Sequence, residues 1–444
     1  RGLRRAVRQA LASSGIAGDR IAAIGLSTQG GTLAVFDADG RPRGPALVWS
    51  DARQRAIGRD PAAEEEQFSL TGLGHLNMTP AAISWLRGHR PEWFVGQYRI
   101  GYVPDYLTFR LTGEWVSDPT NLAISNLYRL TTRDLALPVI ARLGLPREVF
   151  ALIRQAGEVA GHLSPKAASR LGLRPGIPVA VPAHDQYAAA LAAGCTDEGQ
   201  VLLSAGTAWV LVLATREPVT DRRSSFWVGP HVRAGRWGLL GAISSGSSTL
   251  DRVLALTRER PNWERINAAA ERVPPGSDDL LVIPHLVGRT LPTWDSQARG
   301  AILGLSLGHT REHLWRAAME GVAMETRVAC EYLGAVGRGR SPAGLALGAL
   351  RVPPPAGIRM VGGAARSALW ASVVASVIGL PVHTCESEDM AARGAACLAA
   401  RALGAADLPH LEQWVEHRPI AEWRDRYESA YARYRQAVAA LEEP

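Results

Sequence analysis

Asp185, in "VPAHDQYAAALAAG", and the Gly206-Thr207 pair, in "LSAGTAWVLVL", carry the most legible chemistry of this 444-residue chain. The apolar, β-branched run 177–181 stops at Pro182, which places the Asp185 carboxylate where a strand hands over to an Ala-rich helix. The runs 201–204 and 209–213 flank Ala205-Gly206-Thr207 and read as a hairpin whose tip is too small to cover its own N–H groups. Bare amides beside a hydroxyl suit an anion such as phosphate. A carboxylate to accept a hydroxyl proton, and a cradle for the donor, are what hydroxyl-to-phosphate transfer needs. An ordinary buried turn beside a capping Asp fits the same residues equally.

The elements that would position these groups alternate between helix and strand. Residues 2–13 place Leu3, Val7 and Leu11 at helical spacing, "IAAIGLST" predicts a strand, and "TLAVFDADGRPRGPALVWSD" predicts a hairpin turning at Asp39-Gly40. Residues 81–160 are expected to be mainly helical, punctuated by Pro91, Pro104 and Pro138. Strands are expected again at 226–242 and 280–286, followed by a long helix with Leu314, Ala318 and Val322 on one face. The segment "IRMVGGAARSALWASVVASVIGLPV" reads strand, Gly-Gly turn, helix, strand. Trp423, Tyr427, Tyr431, Tyr434 and Val438 form a stripe on a C-terminal helix, whose expected role is core packing. Residues 337–357 are the expected flexible insertion. The strand–hairpin–helix theme recurs on both sides of Asp185, which predicts two halves facing across a cleft.

Composition removes several function classes. The length suffices for two or three domains. Apolar residues make up 47%, yet no run approaches the ~20 residues of a membrane span. Cys195, Cys330, Cys385 and Cys397 lack metal-ligand spacing and read as buried thiols of a cytoplasmic protein. The net charge of +7 comes from arginines scattered along the chain, so neither a nucleic-acid stripe nor a membrane partner is expected. Lys166 is the only lysine and follows no glycine loop. That argues against a P-loop, a protein-kinase strand lysine and a pyridoxal Schiff base. ATP chemistry here would hold phosphates with backbone amides, hydroxyls and a metal.

Several separated motifs, in order, resemble the FGGY carbohydrate kinases: "FDADGRPRGPALVWSDAR", "VPDYLTFRLTGEWVSDPTNLAIS", "PAHDQYAAALAAG", "LSAGTAW", "GRTLPTWDSQARGAILGLSLGHTREHLWRAAMEGVA" and "VGGAARSALW". The resemblance runs from the first helix to about residue 404. It implies an α/β, actin-like ATPase (ribonuclease H-like) fold with two lobes around a central cleft. Residues 1–193 would form the N-terminal, sugar-binding lobe without its first strands; 194–444 would form the nucleotide-binding lobe with the C-terminal helix. The implied activity is ATP- and Mg²⁺-dependent phosphorylation of a pentulose or related carbohydrate or polyol, with Asp185 as general base. Gln186 would touch substrate, with Gln29, Gly30, Gly31, Trp49, Asp51 and Arg53 on the sugar side. Asp51 and Arg53 also fit a plain salt bridge at the end of a hairpin. Gly206, Thr207, Gly246, Gly362, Gly363, Ala364 and Ser367 would meet the nucleotide, and no residue is assigned to metal. The resemblance allows a homodimer, and a non-catalytic sugar- or nucleotide-binding relative is its alternative.

Three departures from the family pattern stand out. The family opens with a strand and hairpin bearing an Asp-x-Gly-Thr-Thr phosphate loop, whereas this chain opens, without Met, at a helix that the family places later. Unpaired strand edges are therefore expected in the first lobe. The pair that is Met-His in xylulokinases and Arg-Glu in glycerol kinases falls on Gly30 and Gly31, which predicts a bulkier or differently held sugar. Ser376 stands where an Asp is usual in the helix after the adenosine motif.

Overall fold

The computed structural model describes residues 2–51, 53, 57, 60–73, 79–243, 245–258, 262–334, 355–387, 389–405 and 413–442. Almost all of the expected insertion at 337–357 lies outside them. The chain packs into two units that exchange segments. The first comprises Arg1–Thr196, Val228–Trp237 and Met390–His410; the second comprises Asp197–Trp227, Gly238–Asp389 and Leu411–Pro444. The expected boundary after 193 thus falls near the first crossing, and two later stretches return to the first unit.

In the first unit, helix Gly2–Ser14 lays Leu3 and Val7 against a cluster around Leu171, Ile177 and Val179. The expected strand at 21–28 shrinks to Ser27–Thr28, paired in parallel with Ala183–His184. Leu33–Asp37 pairs antiparallel with Tyr98–Tyr102, in the register Val35 to Ile100. Its predicted hairpin return survives only as the bridges Phe36 to Pro42 and Leu33 to Leu47. Region 81–160 is not mainly helical. Helices Thr79–His89, Val103–Thr112, Pro119–Ile124 and Leu137–Arg142 alternate with short strands at Val116–Ser117, Tyr128–Arg129, Asp134–Leu135 and Leu152–Ile153. Pro104, Pro119 and Pro138 stand in the first turns of helices, where a missing N–H costs nothing, so they open helices instead of interrupting one.

Helix Asp185–Ala192 is short and is buried from Tyr187 onward. Helix Met390–Ala402 lies directly against it, and a Cβ at Gly394 would collide with the Ala188 carbonyl. A Cβ at Gly25 would collide with the Ala395 carbonyl on the same helix. Glycine at both positions lets backbone meet backbone behind Asp185.

In the second unit, strands Trp209–Thr215, Val201–Ala205, Ile358–Val361, Val382–Thr384 and Val415–His417 are neighbours in that order. The middle three run parallel; the outer two pair antiparallel. The long helix Arg311–Tyr332 is almost wholly buried and packs on Ala368–Ile378. The C-terminal helix Arg424–Glu442 joins them through the expected aromatic stripe, which turns out to be polar as well as packed. The buried Tyr427, Tyr431 and Tyr434 hydroxyls donate to Glu320, Glu331 and Glu325 at 2.9, 2.7 and 2.6 Å. Ser376 has a structural role: its hydroxyl accepts the Ile420 N–H at 3.0 Å and ties the approach to the C-terminal helix onto helix Ala368–Ile378. All four cysteines are buried and outside any disulfide. Among the described residues, no helix is long and apolar enough to cross a membrane.

Candidate active site

Asp185 is the first residue of its helix, and His184 is the N-cap. The His184 Nδ1 accepts the Gln186 N–H at 3.3 Å, so that nitrogen carries no proton. Burial lowers the His184 pKa below its ordinary value, against the pull of Asp185 and Asp118, and keeps the ring neutral. The 3.4 Å approach of His184 Nδ1 to Asp185 Oδ1 is therefore a contact between two acceptors, not an ion pair. Among the described residues no donor takes up the Asp185 carboxylate, and its side chain is 34% exposed.

Around His184 the first unit gathers polar groups. The His184 N–H donates to Thr120 Oγ1 at 2.9 Å, and Asn121 Nδ2 donates to Asp118 Oδ2 at 2.6 Å. Asp118 also caps helix Pro119–Ile124, which fixes both residues. A Cβ at Gly30 would stand 2.5 Å from the His184 ring and 3.3 Å from Asn121 Oδ1. The imidazole thus fills the room that a side chain at 30 would take. Gly31 has φ +71°, which itself calls for glycine. Gln29 is exposed, and its Nε2 donates to Thr32 Oγ1 at 2.8 Å. Buried oxygens of Ser27, Thr28, Asn121 and Gln186 have no hydrogen-bond partner among the described residues. Such orphans are costly unless a ligand or water satisfies them, and hydroxyl groups would.

Trp49, Asp51 and Arg53 are organised separately. Arg53 Nη2 meets Asp51 Oδ2 at 2.5 Å, and the guanidinium lies 4.7 Å from the Trp85 ring centroid. Hydrogen bonding from Arg53 holds the Asp51 carboxyl below its usual range. Trp49 is exposed. The Asp51–Arg53 pair has the form of a salt bridge.

In the second unit the predicted glycines converge at the carboxyl ends of parallel strands, where ligands of open α/β sheets bind. The Val201–Ala205 and Trp209–Thr215 strands enclose the tip Gly206-Thr207-Ala208, with Thr207 exposed. Gly362 follows strand Ile358–Val361 with φ +95°, and a Cβ there would press on the Ala205 carbonyl at 3.0 Å. The Gly362-Gly363-Ala364 turn therefore lies beside the hairpin tip. Gly363 is open: a Cβ would meet nothing within 4 Å. Gly246 supports the tip from behind, because a side chain would strike the Trp209 backbone N at 2.7 Å. The Ser247 and Ser248 N–H groups donate to the Gly206 and Thr207 carbonyls, both at 3.2 Å. That helix N-terminus is spent on shaping the tip. The Ser367 hydroxyl is also committed, capping helix Ala368–Ile378 through the Trp370 N–H and donating to Asn267 Oδ1. Among the described residues, no group of three or more His, Cys, Asp and Glu could hold a metal ion.

Comparison with known proteins decides what these sites belong to. The N-terminal domain of the FGGY family of carbohydrate kinases matches residues 2–192, and its C-terminal domain matches 201–403. The chain belongs to the FGGY family of carbohydrate kinases. A glycerol kinase from Azotobacter vinelandii is 31% identical over 415 residues, covering 89% of this chain and 78% of its own. An L-xylulose/3-keto-L-gulonate kinase from Escherichia coli is 27% identical over 451 residues, covering 98% and 86%. The crystal structure of a xylulose kinase from Rhodospirillum rubrum matches with a TM-score of 0.83 at 26% identity, covering 98% of this chain and 87% of that one. The fold is accordingly the two-domain, actin-like ATPase fold, and this FGGY kinase is a phosphotransferase acting on carbohydrate alcohols.

Sequence reading of this FGGY kinase did not single out Thr28, Asn121 and His184, which the structure adds as candidates beside Asp185. His184 adjoins Asp185, and "SDPTN" holds an Asp cap signal, so both were open to suspicion. The orphaned Asn121 oxygen is visible only once Gly30 and His184 are brought to it.

Proposed function

We propose that this kinase transfers the terminal phosphoryl group of MgATP to a hydroxyl of a pentulose or a related small polyol, with Asp185 as general base. The observation that carries the reading is the Asp185 carboxylate, unpartnered among the described residues and set beside the orphaned Gln186 Oε1 in a shell of unsatisfied buried oxygens. Those oxygens accept hydrogen bonds from substrate hydroxyls, which orients one hydroxyl for reaction. As its oxygen bonds to phosphorus, its proton passes to Asp185 and the bond from phosphorus to the ADP oxygen breaks. The Gly206-Thr207 tip offers amides and a hydroxyl to the nucleotide phosphates, and Gly363 leaves room for adenosine to lie against the backbone. Magnesium arrives with the nucleotide and offsets its phosphate charge, in keeping with the usual preference of Mg²⁺ for phosphate oxygens, water and few carboxylates. The similarity to an L-xylulose/3-keto-L-gulonate kinase and to a glycerol kinase supports a pentulose, glycerol or keto-acid substrate.

The test is ATP consumption over a panel of pentuloses, hexuloses, polyols and aldonates, repeated with Asp185→Asn. The variant should lose roughly 10²–10⁴-fold in kcat while keeping its sugar affinity, because only the proton acceptor goes. Turnover close to that of the parent would remove Asp185 from the base role.

A further inference from the structure

Asp118 is wholly buried in the first unit, and its carboxylate controls the polarity of two neighbours. Oδ1 accepts the Thr120 N–H at 2.9 Å, the Asn121 N–H at 3.1 Å and the Thr120 hydroxyl. Oδ2 accepts Asn121 Nδ2 at 2.6 Å. Burial pushes the Asp118 carboxyl up, and these four hydrogen bonds, each favouring the anion, oppose it. Thr120 has one hydroxyl proton and gives it to Asp118, so its Oγ1 can meet the His184 N–H only as an acceptor, as it does at 2.9 Å. That bond fixes the residue before Asp185 from a helix 64 positions away in sequence. Asn121 is fixed in the same way. With Nδ2 held by Asp118, its Oδ1 points elsewhere, 3.3 Å from a Cβ placed on Gly30 and beside the His184 ring. There this wholly buried oxygen has no hydrogen-bond partner among the described residues.

We propose that Asp118 is a positioning residue for substrate recognition: it turns the Asn121 amide oxygen toward the substrate and, through Thr120, anchors the segment that carries Asp185. This rests on the sugar-kinase reading of the site. An ionised carboxylate accepts and cannot donate, so it permits one orientation of the Asn121 amide. The oxygen so presented requires a donor from the ligand. A hydroxyl supplies one; a carboxylate or a keto oxygen does not. The substrate group that meets Asn121 is therefore a hydroxyl, which relieves the cost of the orphaned oxygen.

The experiment inverts the polarity at position 118 while keeping its shape. In Asp118→Asn the new amide oxygen serves the three donors of Oδ1, and its nitrogen replaces Oδ2. Asn121 must then turn its own oxygen toward position 118 and present Nδ2 to the substrate. In Asp118→Asn/Asn121→Asp the carboxylate at 121 accepts from the amide at 118 and offers the substrate an oxygen again, with the charge of the pair conserved. Calorimetric titration of the full chain without ATP reads the effect, with L-xylulose, glycerol and gluconate as probes. Asp118→Asn should weaken the probe that the parent binds best by about tenfold or more, with circular dichroism and the KM for ATP unchanged. The double variant should return to within about threefold of the parent, and does so even where Asp118→Asn alone fails to fold. The same pattern in an Asp185→Asn background keeps the test independent of the base assignment. Equal affinity in the parent and Asp118→Asn, or a double variant without recovery, would overturn the positioning role alone. A parent that binds none of the three probes would overturn the sugar reading with it.

Discussion

The neutral ring of His184 accounts for how a histidine can sit beside the Asp185 carboxylate without forming an ion pair with it. Because Nδ1 is used to accept the Gln186 N–H, it cannot donate to Asp185. This much was half legible: Asp185 and the Gly206-Thr207 tip depend on local strand, turn and helix signals, which a sequence displays directly. Asn121 and Thr28 were not, because the features that mark them are unsatisfied oxygens created by distant segments meeting. The glycines expected to meet the nucleotide separate by the same physical test. Gly246 and Gly362 are glycine because protein backbone lies against them, whereas Gly363 faces open space. Gly363→Val should therefore fold normally and raise the KM for ATP about tenfold, equivalent to a clash of about 1.4 kcal/mol, leaving the KM for sugar unchanged. Steady-state kinetics with each substrate varied in turn checks this. Parallel rises in both constants, with a lowered melting temperature, would mean that position 363 serves the fold instead.

Helix Asp185–Ala192 holds its catalytic candidate by what it packs against. Its Ala-rich face meets helix Met390–Ala402 at Gly394, close enough that only hydrogen fits between Cα and the Ala188 carbonyl. That carbonyl belongs to the helix backbone and cannot rotate away as a flexible side chain would. Gly394→Ala should cost roughly 1–3 kcal/mol as overpacking and lower kcat more than KM, since the helix carrying Asp185 must shift. Gly88, inside helix Thr79–His89 with nothing within 4 Å of a Cβ, is the contrasting case: alanine there should stabilise by roughly 0.5–1 kcal/mol. Thermal melts of both variants test the pair, and a Gly394→Ala protein as stable as the parent would show that the helices separate easily. The long helix and the strand–turn–helix–strand unit at 358–384 were readable from apolar periodicity. Region 81–160 was not, because its apolar residues serve short strands and helices alike. Which of those forms depends on partners such as Leu33–Asp37 that lie far away in sequence.

Across the whole molecule, buried carboxylates make stability depend on pH in two opposed directions. The C-terminal tyrosine stripe was legible as core, but the glutamates it bonds are acidic positions on another helix, and only packing reveals the pairing. Burial alone would raise the Glu325 pKa; His285 at 3.2 Å and the Tyr434 hydroxyl outweigh it and hold it below the ordinary value. Glu312 is held at about 2 by hydrogen bonding from Thr310. A carboxyl depressed by folding stabilises above its unfolded pKa and loses that contribution as pH falls through the folded one, so these two weaken the fold in acid. Asp105 acts the other way. Wholly buried, it is pushed up to about 7, chiefly by desolvation, while its Oδ2 still accepts the Tyr102 N–H at 2.9 Å. Its contribution is complete below its unfolded pKa of about 3.9 and is lost as pH rises through about 7. Stability should therefore peak in mild acid and decline toward neutrality, with a slope from Asp105 of at most about 1.4 kcal/mol per pH unit. Asp105→Asn keeps an oxygen for the Tyr102 N–H and carries no titrating proton. Urea unfolding midpoints between about pH 5 and 8 should accordingly fall for the parent and stay nearly level for the variant. A variant that keeps the parental slope would assign that proton to another buried group.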